Sequence, residues 1–257
     1  MMTEADEKIL ECLKAGQSFV IDAGAGSGKT SSLIRALDYI RGPDRSTLIA
    51  DGQRVACITF TNVAKNEIVE RTEHDPLFIV STIHDFLWAA IKPFQKELKT
   101  ALLTFNDSLP VSSRRKQDQV ELEDALRNVP SIAYSDRGAK FLEGRIFHDD
   151  LLGVAHVMFR DHALLSKVVA ARFPFIFVDE YQDTDPLVVS TLLDHLLKTA
   201  RPPLMGFFGD KMQSIYPGGV GELPAQQQAS LVQIMKEQNY RCSSARRQLR
   251  WPVERRL

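Results

Sequence analysis

Lys29 and Thr30 close a run, FVIDAGAGSGKTS (Phe19–Ser31), whose residue types suit the binding of an anion. Phe19, Val20, Ile21 and Asp22 have the composition of a buried strand entering a loop. Ala23, Gly24, Ala25, Gly26, Ser27 and Gly28 are all small, and Leu33, Ile34, Leu37 and Ile40 then recur at helical spacing. Strand, glycine loop, Lys-Thr-Ser31 and helix together make the architecture of a phosphate-binding loop. Glycines let backbone N–H groups turn inward with no Cβ in the way, and the helix N-terminus adds partial positive charge. In such a loop Lys29 reaches the β- and γ-phosphates of a nucleotide, and the Thr30 hydroxyl holds Mg²⁺. The strict pattern has Gly where this chain has Ala23. A ligand-free β–α turn is the plain alternative, and the agreement of loop and flanks weighs against it.

Further candidates stand at the ends of strand-like runs, where an open α/β sheet places its ligand site. FIFVDEYQDT ends a β-branched and aromatic run on two carboxylates. Asp179 occupies the position of a water-mediated Mg²⁺ ligand, and Glu180 that of the base or water-positioner for attack on a γ-phosphate. An acidic turn capping a strand is the bland reading. In GFFGDKMQSIY, Gln213 could contact a γ-phosphate or the attacking water, although alone it reads as a turn residue. NYRCS offers Tyr240, a flat ring for an adenine, and Arg241, a forked phosphate donor. ITFTN and STIHDF place hydroxyls, an amide and rings at strand ends, which suits single-stranded nucleic acid. In isolation Thr61 or Asn62, and Thr82, read as ordinary helix caps. The six histidines show no metal spacing, and Glu97-Leu98-Lys99 reads as a solvated helix face.

These residues need a scaffold, and the chain supplies an alternation of strands and helices. A helix is expected over 5–15 and strands over 19–22, 55–60, 77–82, 174–180 and 203–210. Helices follow through Val63–Val69, His84–Ile91 and Leu187–Leu197, while GPDRSTLIADGQ reads as a loop. The rhythm implies an α/β fold with a mainly parallel sheet covered on both faces. It breaks between about Pro93 and Ile146, a charge-rich stretch read as a helical insertion (93–146). The main domain is then 1–92 with 147–242, and 243–257 is a basic tail or the start of another region. The 257 residues carry a net charge of −1, so any nucleic-acid site is a local patch. No apolar run is long enough to span a membrane. The polar, acidic start and three cysteines without ligand spacing (Cys12, Cys57, Cys242) suggest a reduced, cytoplasmic protein.

Taken in order, AGAGSGKT, ITFTN, STIHDF, VDEYQDT, GDKMQSIY and NYRCS resemble the motifs of the UvrD/Rep/PcrA group of superfamily 1 DNA helicases. The match runs from about Phe19 to Ser243 apart from the insertion, and Ala23 is itself the family's form. The resemblance implies a RecA-like P-loop NTPase motor domain with an inserted helical subdomain, ATP and Mg²⁺ as ligands, and 3′-to-5′ movement on single-stranded DNA. It places phosphate and Mg²⁺ on Gly28, Lys29 and Thr30, and Mg²⁺ and hydrolysis on Asp179 and Glu180. Gln213 becomes the γ-phosphate sensor, Tyr240 the base-stacking ring and Arg241 a γ-phosphate contact. Phe60, Asn62, Thr82, His84 and Tyr216 match positions lining the single-strand path. The chain departs from the family in three places: no Gln precedes Gln17, PGGVGE follows Tyr216, and the insertion is short. A second RecA-like half does not follow NYRCS, so the resemblance admits two roles. One is the N-terminal motor half of a helicase or translocase, in repair, replication restart or anti-phage defence. The other is a nucleotide- and single-strand-binding module that needs a partner protein or a second domain to complete its site.

Overall fold

Runs of β-branched and aromatic residues pair into a sheet in the computed structural model, which describes residues 2–24, 26–42, 45–135, 137–210 and 219–236. The strands are β1 (Phe19–Ala23), β2 (Val55–Thr59), β3 (Phe78–Thr82), β4 (Ala133–Tyr134), β5 (Arg145–Ile146), β6 (Phe175–Asp179), β7 (Leu204–Gly209) and β8 (Val232–Lys236). Six of them form one sheet in the order β3-β2-β6-β7-β1-β8, and each pairing is parallel. A parallel sheet puts every strand's C-terminal end on one edge, so the ends of β1, β2, β3, β6 and β7 share that edge. The register is fixed by Asp22 opposite Gly209 and Asp179 opposite Phe208.

The helices are α1 (Glu4–Ala15), α2 (Lys29–Arg41), α3 (Arg45–Ala50), α4 (Asn62–Arg71), α5 (Ile83–Ile91), α6 (Gln95–Ser108), α7 (Gln119–Asn128), α8 (His148–Asp161), α9 (Ala163–Arg172), α10 (Pro186–Ser190) and α11 (Ala225–Gln228). Because strand side chains alternate, β1 sends Phe19 and Ile21 to one face and Val20 to the other. The first face packs on α1, α2 and α4 through Ile9, Leu33, Leu37 and Ile68. The second packs on α5, α8, α9 and α10 through Phe86, Val154, Val169 and Val188. Phe19, Phe177 and Phe208 lean on one another across three strands, with ring centroids 5.7–6.4 Å apart. Gly206 makes room for them: a Cβ there would lie 2.6 Å from Phe177 Cδ1 and 2.7 Å from Phe19 Cζ. The α/β reading with a parallel sheet therefore holds.

Several elements differ from the sequence expectations. The stretch 42–53, read as a loop, contains α3, which buries Leu48. The helix from Leu187 changes after Ser190 into a π-helical turn, Thr191–Leu196. The edge strand β8 and the helices α8 and α9 were not anticipated. Residues 93–146 carry α6 and α7, as the charge-rich helical pattern suggested, together with β4 and β5, which pair in parallel as a separate two-stranded sheet. Leu98, Leu102, Leu122, Leu126 and Phe141 of this stretch join the same apolar cluster as the second face of the large sheet.

Candidate active site

The phosphate-loop candidate sits where β1 meets α2. Gly26 and Gly28 adopt φ of 73° and 82°, a left-handed conformation that a side chain would strain. Gly28 is the N-cap of α2, and no side chain hydrogen-bonds there. By contrast α1, α4, α5 and α7 each receive a cap, from Thr3, Thr61, Thr82 and Asp118. The start of α2 thus offers uncapped N–H groups and the positive end of the helix dipole. Ser27 is 2% exposed, yet its Oγ finds no hydrogen-bond partner among the described residues. A buried hydroxyl in that condition costs about 1–3 kcal/mol, which an external acceptor at the loop would recover. An open helix start and an orphaned hydroxyl both fit an anion such as a nucleotide phosphate. Ser31 accepts a hydrogen bond from Arg71 Nη2 at 3.2 Å and so faces α4.

Strand β6 delivers the carboxylates to the same edge. Lys29 Nζ donates to Glu180 Oε2 at 3.1 Å, joining groups 151 residues apart in the chain. Glu180 has φ 52°, uncommon for a residue with a side chain, and its N–H and carboxylate are both held by hydrogen bonds. Its N–H donates to Asp179 Oδ1 at 3.1 Å, while Lys29 and Gln182 Nε2 (2.8 Å) both donate to Oε2. Gln182, which sequence reasoning passed over, is 2% exposed and also accepts from the Asp210 N–H at 3.1 Å. It ties Glu180 to the end of β7. Its only sequence signal was its place two residues after Glu180 in a polar turn.

Asp179 lies under this pair, 4% exposed. Burial, reinforced by the neighbouring Glu180 charge and partly offset by Lys29, pushes its carboxyl up to about 7. A carboxylate so poorly solvated gains from a cation at its oxygens. Among the described residues no three His, Cys, Asp or Glu side chains cluster as a metal site. A Mg²⁺ held by Thr30 and Asp179 would therefore draw its remaining ligands from phosphate oxygens and water, which is the ordinary habit of this ion.

The remaining candidates spread along the edge. Phe60 and Asn62 are exposed just beyond β2, and Thr61 caps α4 by accepting from the Ala64 N–H at 3.1 Å. Thr82 accepts from the Asp85 N–H at 3.2 Å as the cap of α5. His84 is half-buried with its ring 4.9 Å from that of His148. Burial and the adjacent His148 lower its affinity for a proton, which favours a neutral ring. The structure thus brings together the loop from Ala23 to Ser31, Lys29, Asp179 and Glu180, while Phe60, Asn62, Thr82 and His84 lie beyond β2 and β3 on the same edge. Ala25, Gln213, Tyr216, Tyr240 and Arg241 lie outside the described residues, as does the stretch 243–257.

Comparison with known proteins adds the following. The AAA domain family matches residues 6–219. The chain is 28% identical to "Gabija protein GajB" of Bacillus cereus (strain HuB5-5), over 91% of this chain and 46% of that protein. It is 24% identical to "ATP-dependent DNA helicase UvrD1" of Mycobacterium leprae (strain TN), over 78% of this chain and 32% of that one. The chain spans less than half the length of either relative.

Proposed function

The chain belongs to the AAA domain family in its UvrD-like helicase form, and from that premise we propose that it is the ATP-binding motor half of a 3′-to-5′ DNA helicase or translocase. Residues 1–92 and 147–242 form the motor domain in this reading, and 93–146 form an inserted subdomain. The observation that carries it is the meeting of Lys29 and Glu180 at 3.1 Å beside an uncapped helix start. The loop from Ala23 to Ser31 cradles the phosphates with its N–H groups, and Lys29 leaves Glu180 for the β- and γ-phosphates. That exchange frees the Glu180 carboxylate to orient or deprotonate the attacking water, while Gln182 keeps it aimed. Mg²⁺, when bound by Thr30 and Asp179, neutralises charge building on the phosphate oxygens. Gln213, Tyr240 and Arg241 complete the nucleotide site as sensor, base platform and phosphate contact. Phe60, Asn62, Thr82, His84 and Tyr216 face the single strand.

A second reading starts from the Lys29–Glu180 pair, in which the phosphate-binding cation and the hydrolytic carboxylate occupy each other. These residues would then bind ATP and single-stranded DNA, with turnover awaiting a second motor half from another region or a partner protein. ATP hydrolysis by the purified chain separates the two. Both readings require the loop to bind nucleotide. Lys29→Ala in a folded chain is expected to weaken binding of a non-hydrolysable ATP analogue by at least tenfold, measured by calorimetric titration with Mg²⁺. Unchanged affinity would refute the assignment.

A further inference from the structure

Strand β8 ends on a buried charge. Lys236 pairs in register with Ala23, where the phosphate loop begins, and its side chain is only 2% exposed. Its ammonium donates to Ser32 Oγ at 2.6 Å, and Asp6 Oδ1 and the Gly28 carbonyl both lie 3.5 Å away. Asp6, buried on α1, also accepts from Ser32 Oγ at 2.5 Å and from the Thr3 N–H at 2.9 Å, and pairs with Arg35. Lys236 and Arg35 thus both contact the Asp6 carboxylate behind the loop.

Packing alone does not call for a lysine here. Ile234, two residues earlier on the same strand, fills its place in the core with an apolar side chain. Burying an ammonium costs several kcal/mol before its partners repay any of it. What the lysine supplies and an apolar residue could not is a donor aimed at the Gly28 carbonyl. In a trans peptide the C=O and the following N–H point in opposite directions. A grip on the Gly28 oxygen, which also accepts from the Ser32 N–H at 3.0 Å, turns the Lys29 N–H toward the open side of the loop.

We propose that Lys236 is a positioning residue of the nucleotide site, holding and polarising the Gly28–Lys29 peptide from behind so that its N–H meets the phosphate. This rests on the reading of the loop as a nucleotide site. Burial lowers the affinity of Lys236 for its proton, and the Asp6 charge opposes that; with or without the extra proton, the side-chain nitrogen keeps an N–H to donate to the Gly28 carbonyl. The alternative is a clasp that merely joins α1 to α2 and contributes nothing to phosphate binding.

The test titrates the full chain with inorganic pyrophosphate and with a non-hydrolysable ATP analogue, comparing wild type, Lys29→Ala, Lys236→Met, Lys236→Arg and Asp6→Asn. Lys236→Met is close in length and volume, and is expected to weaken both ligands about tenfold, the usual scale for losing one charged hydrogen bond. Lys236→Arg recovers part of that loss. Asp6→Asn loosens the clasp but leaves the Lys236 N–H donor in place, so affinity holds. Equal losses in Lys236→Met and Asp6→Asn would mean a clasp only, and affinity within twofold of wild type in Lys236→Met would overturn the proposal. If Lys236→Met does not fold, Asp6→Asn decides alone: a tenfold loss overturns, and retained affinity supports. Failure of wild type to bind either ligand would instead refute the nucleotide reading itself.

Discussion

Replacing Asp179 by Asn tests whether the site stores electrostatic cost. Asp179 is nearly sealed from solvent, with Glu180 beside it and one cation, Lys29, to compensate. Its carboxyl rises from an ordinary 3.8 to about 7. Three units of rise correspond to about 4 kcal/mol when the group is ionised in both states. The sign follows from proton binding. Between pH 4 and 7 the folded chain holds this proton more tightly than the unfolded chain, so stability falls as pH rises through that window. Above pH 7 the full cost is present, and below pH 4 it vanishes because both states are protonated. Asn keeps the shape and can still accept the Glu180 N–H, so Asp179→Asn is expected to stabilise the nucleotide-free chain at pH 8 by about 2–4 kcal/mol. At about 2–4 °C per kcal/mol for a domain of this size, the melting temperature rises by roughly 5–15 °C. Urea or thermal unfolding of both proteins at intervals from pH 4 to 8 measures it. A difference that does not grow with pH, or an Asn variant less stable at pH 8, would refute the reasoning.

Three further outcomes are expected. Glu180→Gln keeps the Lys29 contact as a hydrogen bond but loses the charge that activates water, so nucleotide binding survives and any measurable ATP hydrolysis falls at least a hundredfold. Gly206→Ala drives a Cβ to 2.6 Å from one phenylalanine ring and 2.7 Å from another, and loses about 1–3 kcal/mol in urea unfolding. A variant as stable as wild type would show that Phe19 and Phe177 repack freely. Single-stranded DNA binding, followed by fluorescence anisotropy, weakens between low and physiological salt, because each phosphate contact releases a counterion. Salt-independent affinity would exclude a phosphate-tracking surface.

The parts of this molecule that the sequence discloses are those set by local rules. VACIT and FIFVD are unbroken apolar runs because β2 and β6 have neighbours on both sides and helices on both faces. β8 escaped notice for the converse reason. It is an edge strand with a single described neighbour, and its Val232 and Met235 stand exposed, so the run VQIMK shows no apolar pattern. α3 hid between glycines, with only Leu48 buried to mark it. β4 and β5, at two residues each, exist only through their mutual pairing. The loop and the acidic strand end were each legible as motifs, but their meeting was not. Lys29 reaches Glu180 because β7 is inserted between β1 and β6 and brings their ends into line, and strand order is a tertiary property. Lys236 gave no signal at all: a lysine closing a short run looks like the solvated end of a strand until Asp6 and Ser32 are seen around it.

The local rules fail together in one place, and the failures share a remedy. A well-made sequence caps its helices, satisfies its buried hydroxyls, solvates its carboxylates and keeps side chains out of left-handed backbone. At the C-terminal edge of β1 and β6 each of these is broken among the described residues: α2 starts uncapped, Ser27 Oγ is orphaned, Asp179 is buried, and Glu180 has positive φ. Each departure separately could be tolerated strain. An anion at the loop would cap the helix and give Ser27 an acceptor. The same anion would compete with Glu180 for Lys29, and the cation that accompanies it would relieve Asp179. One ligand, a nucleotide with its divalent ion, answers the open helix start, the orphaned hydroxyl and the buried carboxylate at once, and neither an anion alone nor a metal alone does so. The Lys29–Glu180 pair is then the arrangement of the site between ligands, in which the phosphate-binding cation and the hydrolytic carboxylate satisfy each other. On this account the ion pair and the bound nucleotide exclude one another, and Glu180→Gln, by weakening Lys29's alternative partner, is expected to tighten nucleotide binding severalfold. Titration of that variant with an ATP analogue reads the effect directly, and a weakened affinity in a folded protein would show that the pair is not the competitor.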